Sequence, residues 1–162
     1  MTRERFNWIL MGLIVGIALA MLGVTASQSA DLPTGQALVD ARIAQLKKAG
    51  GAMQFFGQYD GSDQTAAAAA AKILDDVAAD LVSWVPEGSG PGGPGIENTR
   101  ALPAIWANFA DFEAKAKAMD DAVGLMTVAA ASNDVAAIKT AMGEVGKACK
   151  ACHEAYRGPE EE

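Results

Sequence analysis

The chain contains little cysteine, histidine or aromatic residue. Its 162 residues include two cysteines and one histidine, and only 6% are aromatic. A disulfide framework in a secreted domain usually needs more cysteines at wider spacing than Cys149 and Cys152. The shortage of aromatic residues favours packed helices over strands. Acidic residues outnumber basic ones by 20 to 13, giving a net charge of −7, which disfavours binding to nucleic acid.

Residues 1–30 have the composition of a signal peptide or of a membrane anchor. Two arginines precede an uncharged, largely apolar stretch over residues 6–30. A basic start, an apolar middle and small residues at the end are typical of secretory signals, and Val24-Thr25-Ala26 offers a cleavage site. If uncleaved, residues 6–26 would associate with the inner membrane, with the N-terminus in the cytoplasm. Both alternatives place the domain formed by residues 31–162 in the periplasm.

Hydrophobic periodicity predicts four helices in that domain. Clustered glycine and proline between Pro86 and Leu102 predict a crossing loop, and Asp63 or Ser62 is expected to cap the second helix. The predicted helices run from Gln36 to about Tyr59, from Thr65 to about Ser83, from Pro103 to the Ser132-Asn133-Asp134 break, and from that break to about Arg157. The predicted fold class is therefore all-α, an up-down-up-down antiparallel four-helix bundle.

The run Cys149-Lys150-Ala151-Cys152-His153 has the pattern of covalent haem attachment. Two thiols at this spacing add across the haem vinyl groups, and the histidine that follows ligates the iron. On a helix, these three side chains fall within an arc of about 100°. We therefore expect one haem c, held covalently by Cys149 and Cys152, with His153 as the axial metal ligand.

Three other interpretations of the motif compete with haem attachment. A thiol-redox Cys-x-x-Cys normally lies at the start of a helix beside a strand, whereas this one lies near a helix end. A structural zinc site needs four ligands, and the sequence has neither a third cysteine nor a second histidine. Chance is the remaining alternative, but it would have to produce a specific motif in an exported helical protein.

Over about residues 35–158 the chain resembles the cytochromes c′, the class II c-type cytochromes, themselves examples of the up-down bundle. A haem motif this close to the C-terminus, after three helices, is specific to that class. The matching segments are Ala41-Arg42 with the helix after it, Pro86-Glu87-Gly88, Thr99-Arg100-Ala101-Leu102-Pro103-Ala104-Ile105-Trp106 and Gly146-Lys147-Ala148-Cys149-Lys150-Ala151-Cys152-His153-Glu154-Ala155-Tyr156-Arg157.

The face of the haem opposite His153 decides the function. Low-spin relatives carry a methionine four residues after the arginine that matches Arg42, and this chain has Leu46 there. Leucine cannot ligate iron, so we expect five-coordinate, high-spin iron in an apolar pocket. The resemblance then implies reversible binding of NO or CO. The alternative is a six-coordinate, low-spin electron shuttle with Met53 or another methionine as sixth ligand, tethered to the membrane near a respiratory or photosynthetic complex.

The resemblance also implies roles for three arginines. Arg42 and Arg157 are expected beside a haem propionate or the proximal histidine, and Arg100, at the end of the crossing loop, is the third candidate; for each, the alternative is a solvated surface charge. Ile43 stands where the family often has glutamine. We do not expect an enzyme, because peroxidase chemistry needs a distal acid-base residue and no histidine remains for it. The resemblance also implies a homodimer through the first two helices, with which the small residues of the second helix are compatible, and it names no redox partner.

Overall fold

The computed structural model describes residues 33–159, and four long helices account for most of them. These helices are α1 (Gly35–Gly57), α2 (Gln64–Asp80), α3 (Phe109–Ser132) and α4 (Val135–Tyr156). A 3₁₀ turn (Leu81–Trp84) follows α2, and a one-turn helix (Ala104–Ala107) precedes α3. The predicted all-α class is confirmed. The signal or anchor predicted for residues 1–30 lies outside the described residues.

The four helices form the predicted antiparallel bundle. Short links, Gln58–Asp63 and Asn133–Asp134, turn α1 back on α2 and α3 back on α4, and such links place consecutive helices side by side. Helix α3 packs extensively against both α2 and α4, whereas α1 packs on α2 and touches α4 only sparsely. Between residues 33 and 159, no helix has both the length and the apolarity needed to cross a bilayer.

The third helix begins later than predicted. We expected one helix from about Pro103, but the chain forms a single turn and then leaves helical geometry at Asn108, where φ is −131° and ψ is 47°. The Asn108 side chain donates to the Ala104 carbonyl at 3.3 Å, and its own N–H donates to the same carbonyl at 3.0 Å. Asparagine competes with the helix in this way because its side chain bonds to nearby backbone groups.

Aspartates cap the two helices that follow the short links. Asp63 accepts a hydrogen bond from Ala66 N at 2.9 Å, so Asp63, rather than Ser62, caps α2. Asp134 accepts from the N–H groups of Ala136 and Ala137 at 2.9 and 3.0 Å and caps α4. Each bond satisfies a backbone N–H that has no partner within the helix.

The core consists of small and branched apolar side chains from all four helices. The alanine-rich start of α2 is a packed helix, because Ala67, Ala70 and Ala71 are buried in the core. Small side chains allow neighbouring helices to approach closely. The largest fully buried side chains are Phe56, Leu74, Met126, Ile138, Val39, Val123 and Val145.

The crossing loop between Val85 and Pro103 is fixed to the N-terminal end of α1. Gln36 N donates to the Gly95 carbonyl at 2.8 Å, and Gln36 Oε1 accepts from the backbone N–H groups of Glu97 and Asn98, each at 3.0 Å. A tight turn lies within the loop, where a Cβ on Gly93 would stand 1.8 Å from the Gly88 carbonyl oxygen. Only glycine fits at that position.

The end of the loop pairs with the end of α4. Ala101 and Arg157 form an isolated antiparallel bridge, in which Leu102 N donates to the Tyr156 carbonyl at 3.0 Å and Gly158 N donates to the Arg100 carbonyl at 2.7 Å. The loop therefore joins the start of α1 to the end of α4, at the same end of the bundle as the Cys-x-x-Cys-His motif.

Candidate haem site

The three motif residues lie on the last three turns of α4. Cys149 and Cys152 are both free thiols, partly buried and packed against the core. His153 is exposed on the same helix. The part of the ring that is shielded from water, and then the positive charges of Arg157 and Arg100, lower the pKa of His153. A neutral imidazole is the form that ligates a metal.

The thiols of this motif are not activated as a redox pair would be. Burial is the main cause that raises the pKa of both Cys149 and Cys152 above the ordinary thiol value. Catalytic Cys-x-x-Cys motifs depress the pKa of one thiol, since the thiolate is the nucleophile. The environment of α4 therefore argues against the thiol-redox interpretation of this motif.

Arg42 is a buried cation in α1, with 6% of its surface exposed. Its Nη1 donates to the Trp84 carbonyl at 3.3 Å and its Nη2 to Thr99 Oγ1 at 3.1 Å. Both acceptors are neutral, and no carboxylate among residues 33–159 forms an ion pair with this guanidinium. Burial lowers the pKa of Arg42. A buried charge normally requires an opposite charge, so this end of α1 is suited to binding an anion.

Two apolar side chains of α1 are only partly covered by protein. Leu46 lies one turn after Arg42, and Met53 lies two turns further on; both are partly buried and pack against the core. Helix α1 comes near α4 at Gly57, where a Cβ would lie 4.0 Å from Met142 Sδ. Because α1 and α4 are antiparallel, Leu46 lies at the level of the cysteines rather than at this contact.

The other two arginines predicted for the site lie at the end of α4. Arg100 donates from Nε at 3.0 Å and from Nη2 at 2.9 Å to the Gly158 carbonyl, which fastens the crossing loop to the chain after α4. Arg157 is exposed, and its backbone N–H donates to the His153 carbonyl at 3.1 Å. Contact of either guanidinium with a haem remains a prediction.

Two side-chain contacts near the motif, those of Tyr156 and Thr99, were not predicted from the sequence. Tyr156 donates its hydroxyl hydrogen to Asp111 Oδ2 at 2.5 Å, and Lys115 Nζ lies 3.6 Å from the same oxygen. The hydrogen bond to Asp111 is the main cause that raises the pKa of Tyr156 to about 12. Thr99, which contacts Arg42, belongs to a matching segment, but its partner lies 57 positions away and no local pattern indicates it.

These residues together fit a c-type haem. Two unbridged thiols and an imidazole on one helix match its attachment chemistry. The buried guanidinium of Arg42 matches the carboxylate of a propionate, and partly covered apolar side chains on α1 and α4 match a large apolar ring. A four-helix bundle with this donor set in its last helix defines the class, a helical c-type haem protein.

Comparison with known proteins identifies the family. The family model described as Cytochrome C′ matches residues 37–157. Cytochrome c-554 of Cereibacter sphaeroides is 34% identical over 142 residues, covering 87% of this chain and 90% of that protein. Cytochrome c′ of Alcaligenes xylosoxydans xylosoxydans is 43% identical over 65 residues, which span 40% of this chain and 51% of that protein. The chain belongs to the cytochrome c′ family.

Solved structures agree with this assignment. A cytochrome c′ described as having an unusual ligand-controlled dimer dissociation superposes with a TM-score of 0.71 and 25% identity, covering 78% of this chain and 98% of that one. A nitric oxide complex of a leucine-to-alanine variant of cytochrome c prime from Alcaligenes xylosoxidans gives a TM-score of 0.63 and 28% identity, covering 76% of this chain and 94% of that one. The bundle predicted from the sequence is therefore the bundle of the family.

Proposed function

We propose that this protein is a periplasmic, non-enzymatic cytochrome c′ with five-coordinate haem iron that binds NO or CO reversibly. The observation that carries the proposal is Leu46, which stands one turn after the buried Arg42 and offers no lone pair to a metal. His153 is the only histidine in the sequence, so the chain has no second imidazole to ligate the iron. The nitric oxide complex of a related cytochrome c prime supports the ligand class.

Each part of the site has a separate role in this proposal. Cys149 and Cys152 would hold the haem through thioethers, and His153 would ligate the iron from the α4 side. When bound, the haem supplies an iron centre with one open coordination position. Leu46 would crowd that position with methyl groups, which admits small uncharged diatomic molecules and disfavours charged ligands that need hydrogen-bond donors.

The absorption spectrum of the purified ferrous protein tests this proposal. We expect a broad Soret band without the sharp, split visible bands of a low-spin cytochrome. Addition of CO or NO should change the spectrum without a lag, because no internal ligand has to be displaced. Sharp low-spin bands that CO leaves unchanged would contradict the proposal, and the electron-shuttle alternative, with Met53 as the first ligand to test, would replace it.

Haem attachment is tested separately. Acid-acetone extraction should leave the haem on the unmodified protein, because two thioether bonds hold it. Replacing Cys149 and Cys152 together by Ala should yield mostly apoprotein, measured as haem per chain by the pyridine haemochrome assay. Full haem occupancy in the double variant would show that attachment is not through these thiols.

Location and assembly also belong to the proposal. We place residues 31–162 in the periplasm, either released by cleavage or held at the inner membrane by residues 6–26. Mass spectrometry of the mature chain distinguishes the two, since cleavage gives a first residue near Ser27 or Asp31. A homodimer is proposed by analogy with the ligand-controlled dimer of the related cytochrome c′, and sedimentation with and without CO tests it.

A further inference from the structure

The hydroxyl of Thr99 lies where the crossing loop meets α1, and its oxygen accepts two hydrogen bonds. Arg42 Nη2 donates to Thr99 Oγ1 at 3.1 Å, and Ala101 N donates to the same oxygen at 3.2 Å. A hydroxyl oxygen has two lone pairs and one hydrogen. Because both lone pairs are used, the hydroxyl can contribute only its hydrogen to any further partner, and no group among residues 33–159 accepts that hydrogen.

The same position carries an uncompensated positive charge. Arg42 is a buried residue, with 6% of its surface exposed, and the acceptors of its guanidinium are the neutral oxygens of Trp84 and Thr99. A guanidinium has five N–H donors, so donors remain for another acceptor. An oxyanion is suited to satisfy both Arg42 and Thr99, since it supplies negative charge and several lone pairs.

We propose that Thr99 is a positioning residue of the haem site, which orients the Arg42 guanidinium and donates its hydroxyl hydrogen to the propionate that Arg42 binds. This inference rests on the haem assignment made under the proposed function. The haem is the one carboxylate-bearing group that the site is proposed to hold. Thr99 therefore acts on the haem both directly and through Arg42.

The backbone around Thr99 is held firmly enough for this role. On one side Gln36 binds the N–H groups of Glu97 and Asn98. On the other side Ala101 bridges to Arg157. These two attachments, one on each side of Thr99, restrict the position of its hydroxyl. A donor that is fixed in advance binds its acceptor with less loss of entropy.

The test compares Thr99→Val, Thr99→Ser and a matched control, Thr127→Val, in the haem-loaded protein. Thr127 is an exposed threonine on α3. Haem per chain is measured first, and the resonance Raman band of propionate bending is then recorded together with the reduction potential. We expect Thr99→Val to shift the propionate band and to lower the potential, because a less neutralised propionate stabilises the ferric charge. Thr99→Ser should resemble the unmodified protein, and so should Thr127→Val.

Several outcomes would overturn this inference. A Thr99→Val protein with unchanged band and potential, or a Thr99→Ser protein that fails to restore them, would leave Thr99 with a packing role only. A band that changes when chloride is exchanged for phosphate would identify a solution anion as the occupant. Thr99→Ala, at the same partly exposed position, replaces Thr99→Val if the latter does not fold. An unmodified protein without haem would instead overturn the proposed function itself.

Discussion

At the scale of single residues, Leu46 is the side chain that we expect to separate a gas-binding cytochrome from an electron carrier. Leu46→Met places a thioether one turn after Arg42, where low-spin relatives carry their ligand, and should move the ferrous spectrum toward sharp low-spin bands. Leu46→Ala removes three carbon atoms from a partly buried position and should speed CO association, measured by stopped flow. Both follow from the access that this side chain gives to the iron.

Met53→Leu is the matched control for that pair. Met53 is also partly buried on α1, and we expect its replacement to leave spectrum and CO kinetics unchanged, because an apolar methionine at helical spacing usually only packs. A loss of low-spin bands on Met53→Leu would make Met53 the ligand and would contradict the role given to Leu46.

The pair formed by Tyr156 and Asp111 should make stability depend on pH. The hydrogen bond from Tyr156 is the main cause that lowers the pKa of Asp111 below its usual range. The ionised Asp111 carboxylate therefore stabilises the fold at neutral pH, and this stabilisation is lost as pH falls through the depressed pKa. The pKa of Tyr156 is raised to about 12, so its contribution is present below about pH 10 and is lost as pH rises toward 12.

Tyr156→Phe removes this hydrogen bond but keeps the aromatic ring, which packs edge-on against Phe112 with 5.5 Å between the ring centroids. We expect Tm at pH 7 to fall by about 2–4 °C, measured by circular dichroism. The difference from the unmodified protein should narrow below about pH 4 and above about pH 11. A difference that stays constant over the whole range would show that the hydroxyl contributes without ionic assistance.

Sequence reasoning nominates site residues where the chemistry is local, but it does not predict contacts between residues that lie far apart in the chain. Cys149, Cys152 and His153 lie within five positions, so their spacing alone indicates haem. The partners of Arg42 and Tyr156 lie 42 to 57 positions away in the chain. Burial of Arg42 depends on the path of the crossing loop, and no periodicity in α1 encodes that path.

At the scale of elements, the cap of α4 supports the helix that carries the motif. Asp134→Ala removes the acceptor for two backbone N–H groups and should lower the free energy of unfolding by about 1 kcal/mol, measured by urea denaturation. Asp120→Ala, on the exposed surface of α3, removes the same charge without a cap and should have a much smaller effect. Equal losses in the two variants would indicate a general charge effect instead.

Replacing Gly93 and replacing Gly124 by alanine should change the free energy of unfolding in opposite directions. In Gly93→Ala the new Cβ would lie 1.8 Å from the Gly88 carbonyl oxygen, so we expect a loss of more than about 1 kcal/mol. In Gly124→Ala nothing lies within 4 Å of the new Cβ, and alanine in an exposed helix should stabilise by roughly 0.5–1 kcal/mol. Urea denaturation measures both, and a stabilising Gly93→Ala would contradict the tight turn in the loop.

The sequence predicted the number and order of the helices but not every boundary. Periodicity continued through Trp106, Phe109 and Phe112, so one uninterrupted third helix was the natural prediction. The interruption comes from the conformation and side-chain bond of Asn108, a local competition that apolar spacing does not report. The caps were predictable because they depend on short-range pairs such as Asp63 with Ala66.

At the scale of the whole molecule, α1 is the helix least supported by protein contacts alone. Helix α3 packs extensively against both α2 and α4, while α1 depends on α2 and on sparse contact with α4. Its remaining ties are the bonds of Gln36 and Arg42 to the crossing loop. A haem between α1 and α4 would supply the missing packing, so the cofactor should stabilise α1 more than the other helices.

Hydrogen–deuterium exchange of the haem-free protein measures this unequal support. In the Cys149→Ala/Cys152→Ala double variant we expect peptides from α1 to exchange much faster than in the haem-loaded protein, while peptides from α2 and α3 change less. Leu46 and Met53 are only partly buried by protein and would lose the proposed cover of the haem, whereas the core around Phe56 and Val123 keeps its protein neighbours. The control is Lys139→Ala/Thr140→Ala, two exposed substitutions on α4. We expect this variant to keep the haem content and the exchange rates of the unmodified protein. If all four helices exchange faster to the same degree, the haem stabilises the bundle as one cooperative unit. In that case the loop contacts hold α1 more strongly than its sparse packing on α4 implies.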